Sequence, residues 1–404
     1  MPSPTDSLFR HKTFVRFWIA RIFTAAANQM LSVAVAWQIY QLTGSALDLG
    51  LVGLFQFLPR IFLTATAGNM ADSHNRKYLA MWSQVVQVLV LSALLLLTLT
   101  HDISRHWIFI LVAVSGAART FEMPATSSLL PSLVPAALLG RAIAMNASAI
   151  QAAFIIGPAL AGLLYALGDN VVYAVTLSLF VGAAIAYASI PSATVKRAPL
   201  AGGEWEKFTD GLRFIRAQRI VLGAISLDLF AVLFGGATAL MPILAVELLH
   251  TGAWGLGLLR SAPAVGALLM SVWLARVPLE RNVGRIMFLC VGIYAVATVG
   301  FGLSSSLWLS LLLLAVMGAA DMVSMVIRGS LVQLQTPDHM RGRVSAVNSI
   351  FIGASNQLGE FESGLTAAWF GAVPAVILGG LCSLAVTLLW MRWFPQLMKA
   401  DRLE

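Results

Sequence analysis

Between Leu79 and Leu99 the chain carries no charged side chain, and stretches nearly as apolar return along its whole length. A helix needs roughly 20 mostly apolar residues to cross a bilayer, and in hydrocarbon only helices and closed barrels satisfy their own backbone. Twelve stretches reach that length, at about 14–41, 47–69, 79–99, 107–128, 139–166, 171–190, 220–248, 254–276, 284–303, 307–329, 343–369 and 372–394. The sequence therefore predicts an all-α membrane protein with twelve transmembrane helices. Only 11% of its residues are charged, against about 25% in a soluble domain, which argues against a soluble enzyme.

The Lys and Arg residues set the orientation. Arg10, Lys12 and Arg16 precede the first span, and Arg76 and Lys77 follow the second. Arg141 lies between the fourth and fifth, and six cations from Lys196 to Arg219 lie between the sixth and seventh. Arg276, Arg281 and Arg285 follow the eighth, Arg341 and Arg343 the tenth, and Arg392, Lys399 and Arg402 close the chain. All fall on one side, while the opposite loops hold only Arg105. By the positive-inside rule both termini are cytoplasmic. The net charge of +8 belongs to these loops, so no nucleic-acid partner is expected. Cys290 and Cys382 lie within apolar stretches, match no metal-ligand spacing and read as packing residues. The polar start, Met1 to Lys12, followed by an overlong apolar stretch, does not read as a cleavable signal peptide.

An internal repeat divides the chain. Shifted by 202 positions without a gap, Gly116 falls on Gly318, Met123 on Met325, Pro135 on Pro337, and Gly140-Arg141 on Gly342-Arg343. Asn146 likewise falls on Asn348, Gly157 on Gly359 and Gly162 on Gly364, while an offset of 204 places Gly53 and Pro59 on Gly257 and Pro263. Shared apolar composition matches Leu and Ala by chance, but rarely Gly, Pro, Asn and Arg in order. The expected organisation is an N-terminal six-helix bundle over 1–190, a cytoplasmic linker over 191–219 and a C-terminal six-helix bundle over 220–404. In the linker, Trp205, Phe208, Leu212, Phe214 and Ile215 alternate with charges, as in an amphipathic helix on the inner membrane surface.

The polar run from Gly68 to Lys77 separates two membrane-length stretches. Gly68 lets helix ends approach, Asp72 suits a neighbouring helix N-terminus, and Arg76 and Lys77 hold to the cytoplasmic face. The run reads as a latch for one state of a moving membrane protein, and it resembles the loop between helices 2 and 3 of the major facilitator superfamily of transporters. Parallel six-helix repeats with substrate near the midplane are the architecture this resemblance implies. Leu42-Thr43-Gly44-Ser45-Ala46, Pro131-Ser132-Leu133-Val134-Pro135, Gly157-Pro158-Ala159-Leu160-Ala161-Gly162 and Thr336 to Val344 are similar to segments of the branch that includes enterobactin-type siderophore exporters of bacterial inner membranes. Gly157, Pro158 and Gly162 resemble a signature of proton-driven exporters; physically, the glycines allow close approach and the proline can bend the helix. The chain departs from the family at Ser73, where the loop motif has Arg, at Asn75, where many members have Gly, and along Gly353 to Gly364, where relatives carry Pro and small apolar residues.

Ionisable groups inside a membrane are costly, at about 2.5–3.5 kcal/mol each on insertion scales, and mark functional candidates. Arg21, Arg60, Arg119, Arg260 and Arg328 balance Glu122, Asp228, Asp321, Glu360 and Glu362. Arg119 and Glu122 share a helix face and form either a local salt bridge or a gated pair. Asp321 falls on Arg119 in the repeat, a charge reversal that suggests an interaction between the halves or complementary structural roles, and Arg328, seven residues on, is another partner for it. Asp228 is either a hydrogen-bonded acid or a proton carrier. Glu360 shares a face with Asn356, and Glu362 with Ser355 and Thr366; one of the two acids is expected to couple or to bind substrate, unless both serve as polar glue between helices. Arg60 and Arg260 suit an anionic substrate, or else pair with these acids. Trp18, Trp37, Phe55, Phe57, Phe230 and Phe234 line a cavity or simply pack.

The sequence holds no phosphate-binding loop of the form Gly-x4-Gly-Lys-Ser/Thr, no nucleophile triad and no metal cluster. The expectation is a secondary exporter, an antiporter that uses the proton gradient without a bound cofactor. It would move a small amphiphilic molecule such as a siderophore across a bacterial inner membrane, as a monomer. Multidrug efflux and lysophospholipid transport are alternatives on the same scaffold, and a non-transporting receptor or scaffold is the alternative from another class.

Overall fold

The computed structural model describes residues 8–191, 204–277, 279, 281–337 and 340–401. Residues 192–203 of the linker, with Lys196 and Arg197, lie outside the described residues, as do Asp338, His339 and Arg402 and the side chain of Trp205.

Helices follow one another with short turns. They are α1 (Lys12–Thr43), α2 (Ala46–Ser73), α3 (Arg76–Leu99), α4 (Arg105–Leu129), α5 (Leu139–Tyr165), α6 (Asp169–Ala188) and α7 (Glu204–Ala217). Then come α8 (Arg219–Phe234), the short α9 (Met241–Ile243), α10 (Ala253–Arg276), α11 (Val283–Leu303), α12 (Leu307–Leu334), α13 (Arg341–Phe370), α14 (Ala372–Trp393) and the terminal turn α15 (Pro395–Met398). Among the described residues, eleven helical segments are long and apolar enough to cross a membrane. The stretch expected as a twelfth, 343–369, does form a helix, α13, and its 30 residues would reach about 45 Å. It falls short in apolarity because Asn348, Ser349, Ser355, Asn356, Gln357, Glu360 and Glu362 dilute it.

The stretch 220–248, expected as one helix, is interrupted. α8 stops at Phe234, Gly235 and Gly236 follow, and the chain continues through a 3-10 turn, α9 and a π-helical turn over Leu244–Leu248. Around the break the Ala231 carbonyl still accepts from the Gly235 N–H at 2.9 Å and the Gly235 carbonyl from the Ala237 N–H at 2.7 Å, and side chains add to both. Tyr294 Oη donates to the Gly235 carbonyl at 3.2 Å, and Ser383 Oγ donates to the Ala231 carbonyl at 2.8 Å. Gly236 lies so close to the Gly359 carbonyl that no side chain fits there, and Gly359 itself lies against the carbonyls of Val232 and Leu233.

Contacts group the chain into two units. One comprises Met1–Gly44, Phe55–Pro199 and Gly252–Gly257; the other comprises Ser45–Leu54, Leu200–Thr251 and Leu258–Glu404. The first turns of α2 thus belong with the second unit, and the first turns of α10 with the first. Within the first unit, α1 packs on α5 and α6, and α3 on α4 and α6. Within the second, α8 packs on α13 and α14, and α11 on α12 and α14. The sequence repeat reappears as these four equivalent pairings. Phe14, Phe17 and Tyr187 centre a core in the first unit, and Phe288, Ile327 and Leu331 one in the second.

α7 buries Ile215 in a cluster with Val344 and Val347 of α13. A Cβ on Gly211 would lie 2.8 Å from the Arg343 carbonyl, and Arg343 donates to Asp210 at 2.7 Å. The amphipathic face expected on the membrane surface is thus occupied by α13.

Candidate functional site

α2 runs on through Gly68 to Ser73, so the polar turn is shorter than its sequence suggested. Asn75 accepts a bond from the Lys77 backbone N–H at 3.1 Å and caps α3, which is why the helix restarts there. Arg76 donates to the Ser128 carbonyl at 2.9 Å, tying the turn to the end of α4. Lys77 is buried, with its ammonium 5.2 Å from the Tyr78 ring centroid. Asp72 is exposed, and among the described residues no ion pair includes it.

Each unit holds a buried ion pair between equivalent helices. In the first, Arg21 of α1 meets Glu122 of α4 at 2.9 Å. In the second, Asp228 of α8 meets Arg328 of α12. Neither partner matches the local pairings considered from sequence. Glu122 turns to α1 while Arg119 is exposed, and Arg328 engages Asp228 rather than Asp321. Further buried polar contacts, which the sequence reading missed, tie the first unit together. Gln38 of α1 donates to Thr98 of α3 at 2.9 Å and accepts from Tyr173 of α6 at 2.6 Å. Long apolar runs interrupted by one amide are the signal that could have found them.

Asp321 lines a small cavity of the second unit with Asp228, Ala231 and Val232 of α8, Val291 and Tyr294 of α11, and Ser324. The space is about that of one water molecule. Among the described residues no ion pair includes Asp321. Two carboxylates, one of them bridged, and a phenol at the break after α8 thus meet in one place.

On α13, Glu362 accepts from Thr366 Oγ1 at 2.8 Å, the face-sharing that the spacing indicated. Asn356 turns back to the Ile352 carbonyl at 2.8 Å. Glu360 interacts electrostatically with Arg260 of α10. Arg60 follows Pro59 within α2 and is half-buried, with Met123 Sδ 4.0 Å from its guanidinium. The aromatic candidates mostly pack. Phe55 stacks on Phe109 at 5.0 Å, Trp37 meets Tyr165 edge-on, Phe230 lies against Trp390, and Trp18 donates to the Met145 carbonyl at 3.2 Å. In α5, the exporter-like Gly157 and Gly162 are contact points: Cβ atoms there would lie 2.7 Å from Gln29 Cβ and 2.9 Å from Gly257 Cα.

Apolar helices in repeated pairings, with ion pairs buried among them, define a polytopic membrane protein of the transporter kind. The chain belongs to the transmembrane secretion effector family within the major facilitator superfamily, whose sequence profile matches residues 4–403. It is 26% identical over 364 residues to the multidrug efflux pump Tap of Mycobacterium tuberculosis, covering 85% of this chain and 84% of that one. Over 383 residues it is 19% identical to the macrolide efflux protein A of Streptococcus pyogenes, covering 93% and 94%. It is also 24% identical to the enterobactin exporter EntS of Salmonella typhimurium, covering 92% and 86%. Its fold is similar to that of a bacterial homologue of the iron transporter ferroportin in an inward-facing state, with a TM-score of 0.74, 18% identity and coverage of 97% and 100%.

Proposed function

We propose that the protein is a proton-coupled exporter of a small amphiphilic molecule such as a siderophore, working by alternating access. In this reading it acts as a monomer in a bacterial inner membrane, with α13 as a twelfth span, two six-helix bundles and both termini cytoplasmic. The observation that carries the coupling is the cavity shared by Asp321 and the bridged Asp228. A second carboxylate there can take up and release a proton while Arg328 keeps its bridge, so proton traffic need not uncompensate a buried charge. The turn with Gly68, Asp72, Arg76 and Lys77 serves as the conformational latch through the Arg76–Ser128 bond. Gly157, Pro158 and Gly162 give α5 its close contacts, and Arg60 and Arg260 are the cations offered to an anionic substrate. Enterobactin export by a relative supports the siderophore reading.

Proteoliposomes with an imposed pH gradient test this. Adding a catecholate siderophore is expected to move protons in the wild type, and Asp321→Asn is expected to abolish that movement while the protein stays folded. Substrate flux with no proton movement in the wild type would remove the coupling. Multidrug efflux is the second reading, favoured by the names of the Tap and macrolide relatives; it predicts that several unrelated hydrophobic dyes move protons where the siderophore does not.

A further inference from the structure

The segments of α2 and α10 that change units carry a matched pair of helix crossings. In the first unit the start of α10 crosses α5. A Cβ on Gly257 would lie 2.6 Å from the Pro158 carbonyl oxygen and 3.1 Å from Gly162 Cα. In the second unit the start of α2 crosses α13. A Cβ on Gly50 would lie 3.0 Å from Gly364 Cα, and one on Gly53 2.5 Å from Glu360 Oε2. The repeat relates the two: the offset of 202 that places Gly162 on Gly364 also places Pro158 on Glu360, and the offset of 204 places Gly53 on Gly257. Both crossings bring backbones close at a glycine pair, Gly257 with Gly162 in the first and Gly50 with Gly364 in the second, although Gly50 itself falls on Trp254. At the position equivalent to Glu360 the first crossing has Pro158, a proline where the second has a carboxylate.

We propose that Glu360 makes the α2–α13 crossing charge-controlled: attraction between its carboxylate and Arg260 of α10 holds the crossing closed, and a proton on Glu360 releases it, while the α5–α10 crossing has no such control. The inference rests on the reading of the chain as a proton-coupled transporter. An ionisable side chain in a membrane segment is kept at a cost, and the proline in the equivalent crossing shows that packing alone does not require one. The carboxylate sits against Gly53, where a side chain on the facing helix would displace the Glu360 carboxylate. The start of α2 and the Glu360 carboxylate thus share one contact. Arg260 is the charge set against it from α10. On α2 the nearest ionisable group in sequence is Asp48, buried in its first turn, with Arg60 and Asp72 further along. α8 carries Arg219 and Asp228, the latter already bridged to Arg328, α10 also carries Arg276, and α14 carries Arg392. On the helix of Glu360 itself the other ionisable groups are Glu362, which is bonded by Thr366, Arg343, held by Asp210 of α7, and Arg341, which donates to the Gln333 carbonyl.

Hydrogen exchange on the full chain in nanodiscs tests this, comparing amides of 46–54 with those of 253–259 after correction for intrinsic exchange. Between about pH 8 and about pH 5, protection of 46–54 is expected to fall about tenfold, the equivalent of one unit of proton linkage. Protection of 253–259 is expected to stay level. Glu360→Gln should show the low protection of 46–54 at both pH values, and Arg260→Gln the same. Glu360→Asp, which keeps a titratable group, should retain a response and guards against misfolding of the first variant. A pH response that survives in Glu360→Gln, or one equally large at 253–259, overturns the proposal. Proton flux in proteoliposomes is scored separately: a pH response at 46–54 without substrate-driven proton movement keeps the crossing and removes the coupling reading, and the converse removes the crossing alone.

Discussion

Arg21 on α1 and Glu122 on α4 stand 2.9 Å apart in the first unit, and the equivalent helices of the second unit carry the reverse order, with the acid Asp228 on α8 and the cation Arg328 on α12. The two bridges join equivalent helices with opposite polarity but not equivalent positions: at the offset of 202, Glu122 falls on Ser324 and Thr126 on Arg328. Each half thus holds a charge-neutral pair between these two helices.

Removing one member of the first pair is expected to be far worse than removing both. Glu122→Gln leaves the Arg21 charge largely buried, and stability should fall by about 3 kcal/mol. The double variant Arg21→Met with Glu122→Leu should recover most of that loss, because neither charge then needs compensation. Apparent melting temperatures in one fixed detergent check both; a double variant less stable than the single one would show that the pair contributes more than neutrality.

Exchanging the second pair should be tolerated better than breaking it. Asp228→Arg and Arg328→Asp singly place like charges together in a buried site and should abolish stable expression. The combined exchange copies the polarity of the first unit and should restore folded protein. Size-exclusion profiles of the three variants read the outcome, and an exchange as poor as either single change would mean that polarity itself is fixed by surrounding groups such as Asp321.

Two glycines of α12 should respond in opposite directions to alanine. A Cβ on Gly318 would lie 2.6 Å from Pro263 Cα, and Gly116, its repeat equivalent, would lie 3.1 Å from Gln56 Cα. Overpacking of about 1–3 kcal/mol outweighs the gain of about 1 kcal/mol in helix propensity, so Gly318→Ala and Gly116→Ala should lower the melting temperature. Gly329 has nothing within 4 Å of its Cβ position, and Gly329→Ala should raise stability by about 0.4–1 kcal/mol. A common sign at Gly318 and Gly329 would contradict the packing account.

The sequence disclosed whatever depends on local periodicity. Apolar length located eleven of the twelve expected stretches as membrane-length segments, and glycine, proline and arginine in register exposed the repeat that reappears in the four helix pairings. Local spacing also found the Glu362–Thr366 bond, since both ends lie one turn apart. It failed where partners are remote. Arg21 and Glu122 are separated by 101 residues, and nothing in their neighbourhoods distinguishes that pairing from Arg119 with Glu122. It also failed where chemistry stays apolar while geometry changes. The segment after Phe234 keeps its hydropathy through Gly235 and Gly236, so the interruption left no trace beyond two adjacent glycines. α13 was the reverse case, a helix of the right length whose polar residues keep it from qualifying by composition.

That interruption constrains how the lineage can drift. Gly236 lies against the Gly359 carbonyl, and Gly359 lies against the carbonyls of Val232 and Leu233. A side chain at Gly236 would meet the Gly359 backbone, and one at Gly359 the backbone of Val232 and Leu233 just before the break. Mutational walks that alter what this protein handles therefore have to leave this pair as a fixed point and explore the faces around it, and a homologue that has lost one of the two glycines should have rebuilt both strands of the contact together.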